Sequence, residues 1–285
     1  MTAALRILWN VASYRLARLE MANMGGALVI MLALRLPAAE VAVRLGFAFL
    51  LNLLVYLNND YLDLDADLRS PGRDDPNTRY LHHHRGAAVS AQLGLLAVLA
   101  ALALAWDPGL FVPLVFGGGV CWLYSARLKH VPCADIPAMA IWGAAMLTVA
   151  FPPTHAAGWA LALLLGLDSA VFETIQVIRD HDADARTGVR TTAVALGVPR
   201  TLLLARVLLV VGAAAAALAV HPLAAIPPVL AVTLPLGRPD RYWNQIRLLL
   251  GLAFLAAAAW VYLHGATAGL LVRCSAGGCA LTPDL

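Results

Sequence analysis

Nine stretches of this sequence are apolar over lengths that approach or reach what the hydrocarbon core of a bilayer demands. They lie near residues 22–36, 41–58, 88–106, 109–126, 134–152, 156–178, 201–220, 222–236 and 246–264. Inside that core no water is available to hydrogen-bond the backbone, so a single long run satisfies its amides and carbonyls only as an α-helix. The expected fold is therefore all-α: an integral membrane bundle of about nine transmembrane helices around a central cavity. With 61% hydrophobic and 13% charged residues, and a mean hydropathy of +0.76, the chain is too apolar for a pair of soluble domains. Residues 1–273 are expected to make one transmembrane domain and residues 274–285 a loose tail without apolar periodicity. Residues 1–20 carry Trp9, Tyr14, Arg6, Arg15 and Arg18 and lack the clean apolar core of a signal peptide. That segment reads as an interfacial helix. The eighth run begins at Pro222 and contains Pro227, Pro228 and Pro235, so it is expected to be kinked or broken.

Charge fixes the orientation. Placing the N-terminus inside puts every Lys and Arg except Arg35, Arg44 and Arg273 on one side, the steep asymmetry of the positive-inside rule. The chain is thus expected in a bacterial or archaeal cell membrane, with its N-terminus cytoplasmic and its C-terminus outside. A net charge of +3 is too small to suggest a nucleic-acid partner. Cys121, Cys133, Cys274 and Cys279 make no disulfide framework or metal pattern.

Acidic residues concentrate where membrane helices should end. Asn59-Asp60-Tyr61-Leu62-Asp63-Leu64-Asp65-Ala66-Asp67 follows the second run, and Asp180-His181-Asp182-Ala183-Asp184 follows the sixth. Mutually repelling carboxylates at a membrane boundary are costly, and such groups mark functional sites. At ~3.6 residues per turn, positions seven and eleven apart fall nearly on one line. Asn52, Asn59 and Asp63 have that spacing, as do Glu173, Asp180 and Asp184, with a constant offset of 121 residues between the sets. Each helix therefore carries a polar stripe reaching into the bilayer, which an inward-facing wet cavity would tolerate.

Hard oxygen donors in this number suit a divalent cation, and Mg²⁺ shares its shell readily with phosphate. Asp60, Asp63 and Asp67 are expected to hold one Mg²⁺ and Asp180 and Asp184 a second, both bridging to a diphosphate. Arg73, Arg79, Arg127, Lys129, Arg186 and Arg190 lie in the same loops as countercharge. With membrane behind the site, the fitting substrate is an amphiphile with a diphosphate head and a hydrocarbon tail.

Asn59-Asp60-x-x-Asp63-x-x-x-Asp67 resembles the first signature of the UbiA superfamily of intramembrane prenyltransferases. Asp180-x-x-x-Asp184-x-x-x-Gly188-x-x-Thr191 resembles its second, and Tyr124-Ser125-Ala126-Arg127-Leu128-Lys129 resembles the Tyr-to-Lys segment after the family's fourth helix. The resemblance covers nearly the whole chain. It implies Mg²⁺-dependent transfer of a polyprenyl group from its diphosphate to a hydrophobic acceptor, with the Tyr124/Lys129 segment beside the diphosphate or the acceptor. Arg127 and Lys129 compete for the phosphate role, and Glu173 resembles an acidic residue of members that act on polar lipid acceptors.

The leading expectation is an aromatic or quinone-precursor acceptor. Three alternatives stand beside it: a terpene cyclase that needs no second substrate, transfer to a glycerol phosphate lipid, and a cation channel. The channel is disfavoured because charge is confined to one face. His82-His83-His84 reads as an interfacial loop rather than a metal site. Asp168 lies mid-span in the sixth run on the side opposite Glu173 and Asp180, and its role is open.

Overall fold

The computed structural model describes residues 2–18, 20–69 and 75–265. Arg73 and the proposed tail 274–285 lie outside the described residues. Every regular element among the described residues is helical. In order these are α1 (Ala3–Ala17), α2 (Ala22–Ala33), α3 (Ala38–Asp67), α4 (Pro76–His83), α5 (Arg85–Ala105) and α6 (Gly119–Ala126). There follow α7 (Asp135–Leu147), α8 (Ala156–Thr187), α9 (Thr192–Leu196), α10 (Val198–Ala219), α11 (Ile226–Val232) and α12 (Pro239–His264).

Among the described residues, six helical stretches are long and apolar enough to cross a membrane, and a seventh counts if α1 and α2, bent by 74°, form one broken span. The expected count of nine is therefore not reached by length. Two of the nine runs form shorter helices. The fifth leaves α-geometry at Leu147, passes through a 3₁₀ turn at Thr148–Ala150 and meets Pro152 and Pro153. The eighth is a 3₁₀ turn from Pro222 to Ala225 followed by seven α-helical residues, because its prolines supply no amide hydrogens. The fourth crosses as Pro108–Ala126 but is π-helical from Pro113 to Gly118. His82 and His83 close α4 rather than forming a loop. That helix is set by Pro76 in its first turn and by Asp75, whose side chain accepts from the amides of Asn77 and Thr78.

Two helices outrun the bilayer. At 1.5 Å per residue, the 30 residues of α3 and 32 of α8 span about 45 Å or more, against a hydrocarbon core of about 30 Å. Their acidic last turns therefore project beyond the apolar layer. α8 lies against α7 with little between them: a Cβ on Gly166 would sit 2.9 Å from the Ala140 carbonyl oxygen, and one on Gly143 would sit 2.1 Å from Ser169 Oγ. Small residues allow this backbone approach, which is how apolar helices associate without a hydrophobic gradient.

The core divides toward the acidic ends. Its largest cluster joins Ile30, Phe47, Leu51, Leu99, Leu110, Leu147, Leu161 and Phe254. Nearer the motifs, one cluster gathers Leu57, Leu64, Ile7, Leu81 and Leu95 around α3, while another gathers Val171, Ile175, Leu209 and Ile246 around α8. Between them stand α6 and α7. This division leaves polar groups of α3 and α8 to face α6 instead of being packed over.

Candidate active site

Three contacts from the end of α6 connect the two acidic stripes. Ser125 Oγ donates to Asn59 Oδ1 of α3 at 2.8 Å, and Tyr124 OH donates to Glu173 Oε1 of α8 at 3.2 Å. One turn on, Lys129 forms an ion pair with Asp63. Helical spacing explains the division of labour. Asn59 and Asp63 share a face, whereas Asp60 is rotated from Asn59 by about 100°. Asp60 accordingly turns to α1, where Arg15 pairs with it and with Glu20. The Arg15 guanidinium also lies 4.6 Å from the centre of the Tyr56 ring. A cavity of about 420 Å³ opens on this side of α3, lined by Asn59, Asp60, Asp67, Tyr14, Arg15 and Arg18 among others.

The second motif is shaped by how its helix stops. Gly188 ends α8 in the left-handed region at φ 78°, a conformation that a side chain would strain. The turn brings Thr191 Oγ1 to 3.3 Å from Asp184 Oδ2. Asp135, buried at the start of α7, then accepts from the Thr192 amide at 2.8 Å and from the Thr192 hydroxyl. Asp180 is held by its neighbour Arg179, at 2.9 and 3.2 Å.

The remaining expected residues fall into place around this frame. Lys129 reaches an acid, while Arg127 is exposed at the end of α6. Arg79 lies on α4, and Arg186 donates from Nε to the Asp182 carbonyl at 3.0 Å. Asn52 is fully buried; its Nδ2 donates to the Ala48 carbonyl and its Oδ1 has no partner. Asp168 sits partly exposed in the middle of α8.

The donor set fits a divalent metal. Among the described residues no three acidic, histidine or cysteine side chains converge on one point, so Asp60, Asp63 and Asp67 do not form a closed cage. Mg²⁺ needs none, since it keeps one or two carboxylates and takes its other ligands from phosphate and water. The carboxylates of Asp60, Asp63 and Asp180 are each paired with a cation, the countercharge that acids this close together require.

A family model, the UbiA prenyltransferase family, matches residues 24–239. The chain belongs to this family. Two curated relatives are each named lycopene elongase/hydratase. The one from Halobacterium salinarum is 29% identical, covering 79% of this chain and 86% of its own. The one from Haloferax volcanii is 30% identical, covering 77% of each. Among solved structures, a digeranylgeranylglyceryl phosphate synthase superposes with a TM-score of 0.65 at 15% identity, over 90% of this chain and 99% of that one. A UbiA homolog from Archaeoglobus fulgidus, bound to GPP and Mg²⁺, superposes with a TM-score of 0.63 at 16% identity, over 92% of this chain and 100% of that one. These structures show a shared fold.

In this UbiA-family prenyltransferase, sequence reading passed over Arg15 and Asp135. Asp135 carried the same signal as the motifs, a carboxylate where an apolar run begins. Arg15 gave none beyond its place in an amphipathic helix, because its partner lies 45 residues away. Truncating Arg15 to alanine is expected to loosen α1 from α3 at a cost of about 2 kcal/mol, the range of hydrogen bonds to charged groups. Faster cleavage between α1 and α2 in limited proteolysis, without faster cleavage elsewhere, would register it.

Proposed function

We propose that this integral membrane prenyltransferase moves a prenyl group from its diphosphate to a long, uncharged, unsaturated hydrocarbon acceptor. The observation that carries the reading is the α6 bridge, in which Ser125 and Lys129 contact Asn59 and Asp63 of one stripe while Tyr124 contacts Glu173 of the other. The substrate's diphosphate would lie between Asp60, Asp63 and Asp67 on one side and Asp180 and Asp184 on the other. Mg²⁺ held by these carboxylates would supply the Lewis acidity that favours departure of diphosphate. Lys129, Arg15 and Arg179, already drawn to Asp63, Asp60 and Asp180, would flank the departing charge, with Arg79, Arg127 and Arg186 at its rim. Arg73 is assigned the same role from sequence. Asn52, two turns below Asn59, keeps a buried oxygen without a partner on the same face and is assigned to substrate binding from sequence.

Polarity of the interior bears on the acceptor. Among the described residues, the fully buried polar ones on the motif side are Asn52, Asn58, Ser125, Asp135, Glu173, Thr174, Thr191, Thr192 and Thr201, none of them cationic. Arg44 is buried, but it is consumed by Glu40 and Asp107 at the other end of α3. A glycerol phosphate or a carboxylated aromatic ring would find no fully buried countercharge there, which is expensive away from water, whereas a polyene needs none. The names of the two halophile relatives agree with this choice. A phenolic quinone precursor is the second reading, favoured by Glu173 and Tyr124 as a pair able to take its proton. The positive-inside asymmetry supports a cytoplasmic mouth and N-terminus in one domain over residues 1–273, with the C-terminus outside.

Purified protein given a labelled prenyl diphosphate and Mg²⁺ is expected to attach label to a C40 polyene and not to glycerol phosphate. Label appearing only in a cyclised product without acceptor would overturn the transferase reading.

A further inference from the structure

We propose that Glu173, oriented by Tyr124, takes the proton that ends the reaction, whether the extended polyene leaves as an alkene or as an alcohol. The inference rests on the polyene reading above. α8 is continuous from Ala156 to Thr187, so Glu173 lies on the same face as Asp180 and about 10 Å deeper along the axis. The reacting carbons must occupy that interval, directly below a diphosphate held at Asp180.

The chemistry there needs a base. Heterolysis of the C–O bond releases diphosphate with its electron pair and leaves an allylic cation. The acceptor's terminal alkene then forms a C–C bond to that carbon and becomes a tertiary cation. Two endings balance the charge. Either an adjacent C–H bond gives its electrons to a new alkene and its proton to Glu173, or water forms a C–O bond to the cation and gives Glu173 its proton. Neither ending requires an oxidant or a reductant.

Glu173 is suited to the task by what does not bind it. Tyr124 OH donates to its Oε1 at 3.2 Å, and among the described residues no ion pair includes it, unlike Asp60, Asp63 and Asp180. It is 8% exposed. A buried carboxylate with one neutral partner is a poor structural element, since an unpaired charge at membrane depth destabilises the fold. Other acids of the region are excluded by position. Asp135 is taken up by the Ile136 and Thr192 amides and the Thr192 hydroxyl. Asp168 is five residues from Glu173 and therefore about 140° around α8.

Glu173→Gln separates this from a structural role, because the amide oxygen still accepts from Tyr124 while its carboxylate basicity is lost. The full-length protein is given a prenyl diphosphate and a C40 polyene in ¹⁸O-labelled water, and diphosphate release, total extended product and ¹⁸O content are measured together. For Glu173→Gln, diphosphate release should stay within about threefold of the parent, while extended product per diphosphate falls roughly a hundredfold, the usual weight of a positioned base. The alcohol-to-alkene ratio should change as well, and Glu173→Asp should restore part of the yield. Tyr124→Phe leaves the carboxylate but frees its orientation, so it should shift the ratio with a smaller loss of yield. A parent that makes extended polyene, with Glu173→Gln making the same products at the same yield, overturns the assignment alone. A parent that releases diphosphate without ever extending the polyene overturns the acceptor reading and this assignment with it.

Discussion

Replacing Asp63 by alanine is expected to slow diphosphate release by about a thousandfold, and Asp180→Ala by a similar factor. Loss of one electrostatic contact to a departing anion typically costs about 4 kcal/mol, and each 1.36 kcal/mol is about tenfold in rate. Asp63 carries this weight because two independent features meet on it. It lies on the face of α3 that meets α6, and Lys129, the cation of the Tyr-to-Lys segment, is already paired with it. Its removal would take away a proposed metal donor and leave Lys129 without its partner. The more discriminating experiment is the double mutant. If the stripes of α3 and α8 grip one diphosphate, losing either arm already forfeits the grip, and Asp63→Ala/Asp180→Ala should be little worse than either single change. Two separate sites would instead multiply the losses, to about a millionfold. Single-turnover release of diphosphate over a range of Mg²⁺ concentrations measures all three variants. Parent-like turnover by both single mutants would remove the two-stripe mechanism.

How much of this was legible in the sequence depends on the range of the interaction. Helical periodicity is local, so the stripes of Asn52, Asn59 and Asp63 and of Glu173, Asp180 and Asp184 could be drawn from residue spacing alone. The bundle followed from apolar length, and the broken eighth run from its prolines. Asp60, Asp63 and Asp67 lie within about 60° of one another on α3, so their grouping on one face follows from spacing alone, with Asp60 at the edge about 100° from Asn59. The structure turns Asp60 to Arg15 and Asp63 to Lys129. Tertiary partners were out of reach. Nothing near Asp135 in sequence says that Thr192 will meet it, because that contact depends on how α7 packs on α8 and where Gly188 turns the chain. The fifth run shows the limit of hydropathy. Residues 134–152 are apolar enough, yet the α-helix stops at Leu147, since hydropathy does not register the 3₁₀ turn that precedes Phe151 and Pro152.

Arg44 was legible only as a stray cation on the outer side, and it provides the largest expected effect on stability. It is 1% exposed. Its Nε donates to Glu40 at 2.9 Å, one terminal nitrogen to the Val149 carbonyl at 3.1 Å, and the other to Asp107 at 2.6 Å. Asp107 in turn accepts from the Gly109 amide at 2.8 Å. One guanidinium thus fastens the start of α3 to the turn after α5 and to the 3₁₀ turn after α7. Arg44→Ala should cost about 3–5 kcal/mol, most of it from stranding Asp107 and Glu40 beside an apolar core rather than from the attraction lost. Two further results follow from that cause. Pairing Arg44→Ala with Asp107→Asn should recover part of the loss, since the stranded charge is gone. The surviving folded fraction of either variant should keep the parent's KM for prenyl diphosphate, because Arg44 is 16 positions and about 24 Å along α3 from Asp60. Denaturant titration in detergent micelles, run beside the diphosphate-release assay, reads both quantities. An Arg44→Ala protein as stable as the parent would mean that the Arg44 network holds nothing together. One with a KM raised tenfold would mean that the two ends of α3 are coupled, and that the acidic mouth is positioned by a contact at the opposite face of the bilayer.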